Sequence, residues 1–124
     1  MQGRVAQAIG NLADICLPHF EHEEKFVFPI FCFLPELADG NVTPEMAIVV
    51  PMVSRFNVYQ KVFEHQHQVL SESIDSLMRS GYGESNREII EFAYSLRAHE
   101  RMEHEVIYPM VNIIGKFVQQ KLGI

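Results

Sequence analysis

Two stripes of residues lying 80 positions apart limit what this chain can fold into more than any other feature. Ile9, Leu12, Cys16, His19, Glu23, Phe26, Ile30, Phe33 and Leu37 fall at alternating steps of three and four. Ile89, Phe92, Leu96, His99, Glu103, Val106, Met110, Ile113 and Phe117 repeat that pattern, each 80 residues after its counterpart. Such spacing is the face a helix turns toward the interior of a bundle. Both stripes are interrupted at the same two places, by a His and, one turn later, a Glu that points the same way. An ionised carboxylate on such a face costs several kcal/mol unless it is paired or binds a metal. Two helices carrying that cost at matching levels imply a shared metal site built from His19, Glu23, His99 and Glu103.

The rest of the chain narrows the setting. A length of 124 residues with a hydrophobic fraction of 48% predicts one folded domain over residues 1–124. The net charge of −6, with no Lys/Arg run, argues against nucleic acid as a partner. The longest apolar stretch, Phe26 to Leu34, is too short to cross a bilayer and contains Pro29. No basic region followed by an apolar run opens the chain, and Cys16 and Cys32 are isolated thiols. Both observations fit a reducing cytoplasm. Cys16 reads as a small core residue rather than a ligand.

Residues from about Val5 to Leu37 read as helix, kinked or divided by Pro18 and Pro29. Asp39-Gly40-Asn41 marks a turn. Thr43 and Pro44 look like an N-cap and first helical position for a helix that Pro51 interrupts. A longer helix is expected from about Ser54 to Arg79, stopping at Ser80-Gly81. Ser85 with Glu88 then reads as the capping box of a last helix that contains Pro109. Strand-like alternation is confined to Ala47–Val53, so the fold class is all-α. In the third helix, Phe63, Leu70 and Leu77 centre the apolar face. His67 keeps that register and is the preferred inward ligand, with His65 the alternative. His22, Glu24, His104 and Glu105 lie off the stripes and read as solvated. Imidazoles and carboxylates without thiolates favour iron, manganese or zinc. A Glu from each of two helices is a common way to build a dinuclear site in a bundle core. The competing reading is a metal-free buried cluster in which His and Glu pair with one another.

Pro18-His19-Phe20 followed by Glu23-Glu24 and Phe28-Pro29 resembles the second-helix motif of hemerythrin-like (HHE cation-binding) domains. His99, Glu103 and Ile107-Tyr108-Pro109 resemble the fourth-helix motif, and Glu64 to Leu70 the third-helix segment with its His. The resemblance covers nearly the whole chain. It implies an up-down helical bundle around a non-heme di-iron centre, with Glu23 and Glu103 as bridging carboxylates and His19, His67 and His99 as terminal ligands. Phe20, Phe26, Phe28 and Tyr108 would form a dry sleeve around it. Two departures stand out. Gln66, not Glu, precedes His67, which keeps His65 in contention. Only 18 residues precede His19, none of them His, so either the chain is a fragment or shortened gene product, or the family's first helix is missing or truncated. An uncovered apolar seam would follow, and with it a homodimer. The function implied is reversible binding of dioxygen or a related small molecule as carrier, store or sensor. The alternatives are iron storage or donation, including stress-linked iron repair, and a metal-free helical interaction module. No Ser/His/Asp arrangement, phosphate loop or nucleotide fingerprint points to an enzyme acting on an organic substrate.

Overall fold

The computed structural model describes residues 3–124, and among these the regular structure is entirely helical. Helix α1 spans Arg4–Phe26 and runs through Pro18 unbroken. Pro29 does end it: two short helices follow, α2 (Phe28–Phe31) and α3 (Leu34–Ala38), each with a proline in its first turn. A missing N–H is harmless at that position. Pro44 likewise opens a 3-10 turn over Pro44–Ile48, with Thr43 extended before it, but the Thr43 side chain makes no capping bond. Helix α4 is longer than expected, Val49–Gly83. Pro51 falls in its first turn and so interrupts nothing, and Ala47–Val53 is helical rather than strand-like. Asn86, not Ser85, caps helix α5 (Arg87–Met102): its side-chain oxygen accepts the Ile89 N–H at 3.2 Å. A wide π turn over Glu103–Ile107 then leads into α6 (Tyr108–Leu122), which stops at Gly123 in the left-handed conformation, φ 69°.

The chain runs up α1, down α4 and up again through α5 and α6. Val5 at the start of α1 donates its N–H to Glu84 beyond the end of α4, while Phe26 at the other end stacks on Tyr59 near the start of α4. Helix α4 is the spine, with α1 on one flank and α5–α6 on another; Arg97 of α5 pairs with Asp75 of α4. Two apolar cores result. One gathers Phe26, Ile30, Val53, Phe56, Phe63, Tyr108, Val111 and Val118 together with the short helices. The other holds Ala8, Leu12, Cys16, Leu70, Ile74, Leu77 and Ala93. Between them lies one layer of polar residues drawn from α1, α4, α5 and the π turn.

The stripe on α1 faces inward from Leu12 to Phe26, although Ala8 replaces the expected Ile9. The second stripe differs more. Ala93 and Glu100 are buried where Phe92 and His99 were expected, and Val111, Ile114 and Val118 are buried where Ile113 and its neighbours were. Phe92, Val106 and Ile113 are at least half exposed. That offset is the same on both sides of the π turn, which is a separate irregularity concerning Tyr108. Counting back from Val118 in steps of three and four leads through Gly115, Val111 and Tyr108 to His104 and Arg101. The inward residues upstream are instead Glu103, Glu100, Leu96 and Ala93, one position earlier. The Tyr108 N–H bonds to the Glu103 carbonyl five residues back, so the turn absorbs one residue. Pro109 supplies the cause, because it has no N–H to give and its ring crowds the carbonyl four residues before it.

Where α6 crosses α4, Gly115 sits against Val53. A Cβ at Gly115 would lie 3.0 Å from Val53 Cγ2. Gly115→Leu should therefore lower the unfolding free energy by about 1–3 kcal/mol through overpacking. The urea midpoint measures this, and an unchanged midpoint would mean the two helices are less closely packed than described.

Candidate metal centre

The polar layer brings side chains from every long helix to one place. Helix α1 presents His19 and Glu23, one turn apart and both buried. Helix α4 contributes His67, held partly buried between Phe63 and Leu70, while His65 points to solvent. Helix α5 contributes Glu100, the π turn Glu103, and the start of α6 Tyr108. One donor atom from each of His19, His67, Glu100 and Glu103 can be chosen so that all four lie within 4.8 Å of one another. Donors about 2 Å from one tetrahedral cation are about 3.3 Å apart, so the group would draw in on taking up a single ion.

Glu23 and His99 complete the neighbourhood. His19 Nε2 lies 2.5 Å from Glu23 Oε1 and 3.8 Å from Glu103 Oε1. His99 Nε2 reaches the same Glu103 oxygen at 3.2 Å, but its side chain is 54% exposed, so it stands at the rim. His67 bridges two groups: its Nδ1 is 2.9 Å from Glu100 Oε2 and its Nε2 is 2.9 Å from the Tyr108 hydroxyl. Of the five residues expected to hold a metal, His19, Glu23, His67 and Glu103 thus converge inside, and His99 touches the group from outside. Glu100 was not anticipated. A stripe through Ile89, Ala93, Leu96, Glu100 and Glu103 has equally good spacing, but the larger Phe92 outweighs Ala93 when size is taken as the guide to burial. Phe20 and Phe28 are too exposed to act as a sleeve; Phe63 and Tyr108, with ring centroids 5.4 Å apart, line the apolar side instead. His22, expected in solvent, is half-buried and bonded to Gln66, whereas Glu24, His104 and Glu105 are exposed.

The electrostatics fit a cation. His19 Nε2, Glu23 Oε1, both oxygens of Glu100 and Glu103 Oε1 are buried without a well-formed hydrogen bond. Buried carboxylate oxygens served only by contacts of poor geometry are costly, and a positive ion would satisfy several at once. Burial disfavours a charged His19, yet its contacts with Glu103, Glu23 and Gln66 outweigh that and lift its pKa to about 10. Burial raises Glu23 to about 7 against the pull of His19, and the nearby Glu103 adds to the rise. Burial pushes Glu103 the same way but loses to His19, Glu23 and His99, which hold it below the usual carboxylate range. Burial and the charges of Glu103, Glu23 and Glu100 keep the Tyr108 phenol protonated. The Cys16 thiol is raised likewise, by burial first and then by Glu100 and Glu23, which suits its place in the second core. Beside the cluster, a cavity of about 400 Å³ between α4 and α5 is lined by His67, Glu100, Arg97, Arg101 and His104.

Protonation and stability are linked through these shifts. The native pKa of His19 is above its ordinary 6.5, so its contribution is complete below 6.5 and is lost as pH rises toward about 10. Glu23, raised from 4.5 to about 7, loses its share over that lower interval in the same direction. Glu103, lowered, contributes above 4.5 and loses its share as pH falls below that. Chelator-treated protein should therefore melt at progressively lower temperature from pH 6.5 to 10. Replacing His19 by Gln should flatten that slope, and an equally steep slope in the variant would contradict the assignment.

The chain matches no family model, and comparison with curated proteins and with solved structures likewise finds no match. The reading of the centre therefore rests on its own geometry.

Proposed function

We propose that this chain is a hemerythrin-like metal protein, holding a non-heme di-iron centre and binding dioxygen or a related small molecule as carrier, store or sensor. One observation carries the reading: donor atoms of His19, His67, Glu100 and Glu103 converge within 4.8 Å, with Glu23 and His99 in contact, and several of these buried atoms make no well-formed hydrogen bond. With Glu100 included, three imidazoles and three carboxylates are on hand, a set suited to iron, with manganese or zinc the other candidates. The three carboxylates offset most of the charge of two divalent ions. Bound iron would supply the electron-transfer chemistry that dioxygen uptake needs. The chain's own part is to fix the imidazoles, supply the negative charge and keep one side dry through Phe63 and Tyr108. The exposed Phe92, Met102, Val106 and Ile113 support the companion expectation of a homodimer. No described helix is long and apolar enough to cross a membrane.

A second reading, a metal-free polar network inside a helical interaction module, is favoured by the 2.5 Å approach of His19 Nε2 to Glu23, a distance that suits a shared proton. Metal content separates the two. Protein purified from iron-rich medium should carry iron and change its optical spectrum reversibly with dioxygen. Glu103→Ala and Glu100→Ala should each reduce metal affinity more than about 10-fold, while His104→Ala should leave it unchanged. Absence of iron, manganese and zinc, or equal metal content in Glu103→Ala and His104→Ala, would remove the di-iron reading. Gel filtration at the mass of a single chain would remove the dimer.

A further inference from the structure

Gln66 lies on α4 one residue before His67, but its side chain reaches across to α1 and touches two imidazoles. Its Oε1 is 3.0 Å from His19 Nδ1, and its Nε2 is 2.7 Å from His22 Nδ1. An amide oxygen only accepts and an amide nitrogen only donates. In this orientation His19 carries a hydrogen on Nδ1, and His22 offers a lone pair from its own Nδ1. The reversed amide would set an N–H against His19 Nδ1 and so demand the tautomer with its only hydrogen on Nε2. That nitrogen faces Glu23 and Glu103. Such a tautomer can neither carry the positive charge that the two acids favour nor offer an Nε2 lone pair to a cation.

The observed orientation serves both needs. As an imidazolium between the acids, His19 keeps Nδ1–H on Gln66 and directs Nε2–H at Glu23. As a ligand it gives up only the Nε2 hydrogen and leaves the bond to Gln66 intact. Nothing else can serve Nδ1, because His19 is fully buried and water does not reach it. The ring is also held edge-on against Phe63 and His67, with interplanar angles of 76° and 86°. His22, three residues further along the same helix, closes the clamp, since its bond to the amide nitrogen opposes rotation of the Gln66 amide.

We infer that Gln66 is a positioning residue that fixes His19 with its hydrogen on Nδ1 and thereby reserves Nε2 for the cation. The consequence for metal affinity rests on the function proposed above; the Nδ1 hydrogen held by Gln66 is a property of the chain alone. Partners of this kind orient metal-binding histidines, and their loss typically weakens binding 10–100-fold.

Three variants and one probe ion test this. Gln66→Met removes the acceptor at similar volume, Gln66→Glu retains it, and His22→Phe removes the closing partner. In protein with 15N-labelled histidine and no metal, His19 should show a slowly exchanging Nδ1 hydrogen in the wild type and in Gln66→Glu. That signal should be lost in Gln66→Met. Zinc affinity, measured by competition with a chelator, should fall about 10–100-fold in Gln66→Met, recover in Gln66→Glu, and fall less in His22→Phe. A purely packing role would lower thermal stability without moving the Nδ1 signal. An unchanged Nδ1 signal in Gln66→Met overturns the inference, as does an unchanged zinc affinity in a wild type that binds zinc. If the wild type binds neither zinc nor iron or manganese, the cation reading falls while the Nδ1 signal still decides the role of Gln66.

Discussion

Three carboxylates, Glu23, Glu100 and Glu103, are buried in the middle of a helical layer, and among the described residues the basic groups in direct contact with them are histidines. The rest of the structure is arranged around that constraint. One imidazolium at His19 cannot neutralise three acids. The surplus is managed by raising the pKa of Glu23, so that part of the negative charge is removed near neutral pH. Such a cluster contributes little to stability by itself, since desolvation consumes most of the Coulombic gain. The apolar cores on either side must therefore supply the stability, and they do so with Phe56, Phe63 and Val118 on one side and Leu70, Ile74 and Leu77 on the other. The polar layer is set between two cores that hold the helices in place without it.

Helix α4 makes this possible because its length spans both cores, and Gln66 and His67 fall at the junction between Phe63 and Leu70. The opposite flank needs more adjustment. A regular helix from α5 into α6 would set Glu103 and Tyr108, five residues apart, about 140° from each other around the axis. The π turn resolves the conflict by spending one residue between Glu103 and Tyr108. Pro109, which reads in the sequence as a possible kink, acts one turn earlier as the cause of that widening. An irregularity in the backbone is thus what allows two acids and a phenol to share one wall of the cluster.

The helical class, the break at Pro29 and the inward face of α1 from Leu12 to Phe26 follow from periodicity, which is reliable where a helix is regular and one-sided. His67 could be set apart from His65 for the same reason, because Phe63, Leu70 and Leu77 fix the phase of α4. The second stripe could not be read this way. Helix α5 carries apolar residues on two adjacent faces, with Ile89, Ala93 and Leu96 beside Phe92, and only packing against α4 decides between them. Size was a poor guide because the closest approach takes small side chains: Ala93 is fully buried and Phe92 is half exposed. Glu100 was hidden by the same error, being to His99 what Ala93 is to Phe92. The cap at Asn86 instead of Ser85 is another shift of one residue, and it follows from the positive φ of Ser85, 53°, which no capping pattern reveals.

These shifts leave the cluster asymmetric. On the α1 side His19 is sealed, with Phe63 and His67 against its ring and Gln66 on its far nitrogen. On the α5 side His99 is largely in solvent, and the cavity between α4 and α5 opens onto His67 and Glu100. Glu103 lies between, touched by His19 from within and by His99 from without. The sealed side sits in a low dielectric, where charge interactions are strong and geometry is fixed; the open side is hydrated, where side chains can exchange partners at little cost. The α4–α5 opening is therefore lined by Glu100 and His67, while His19 and Glu23 form the fixed inner wall.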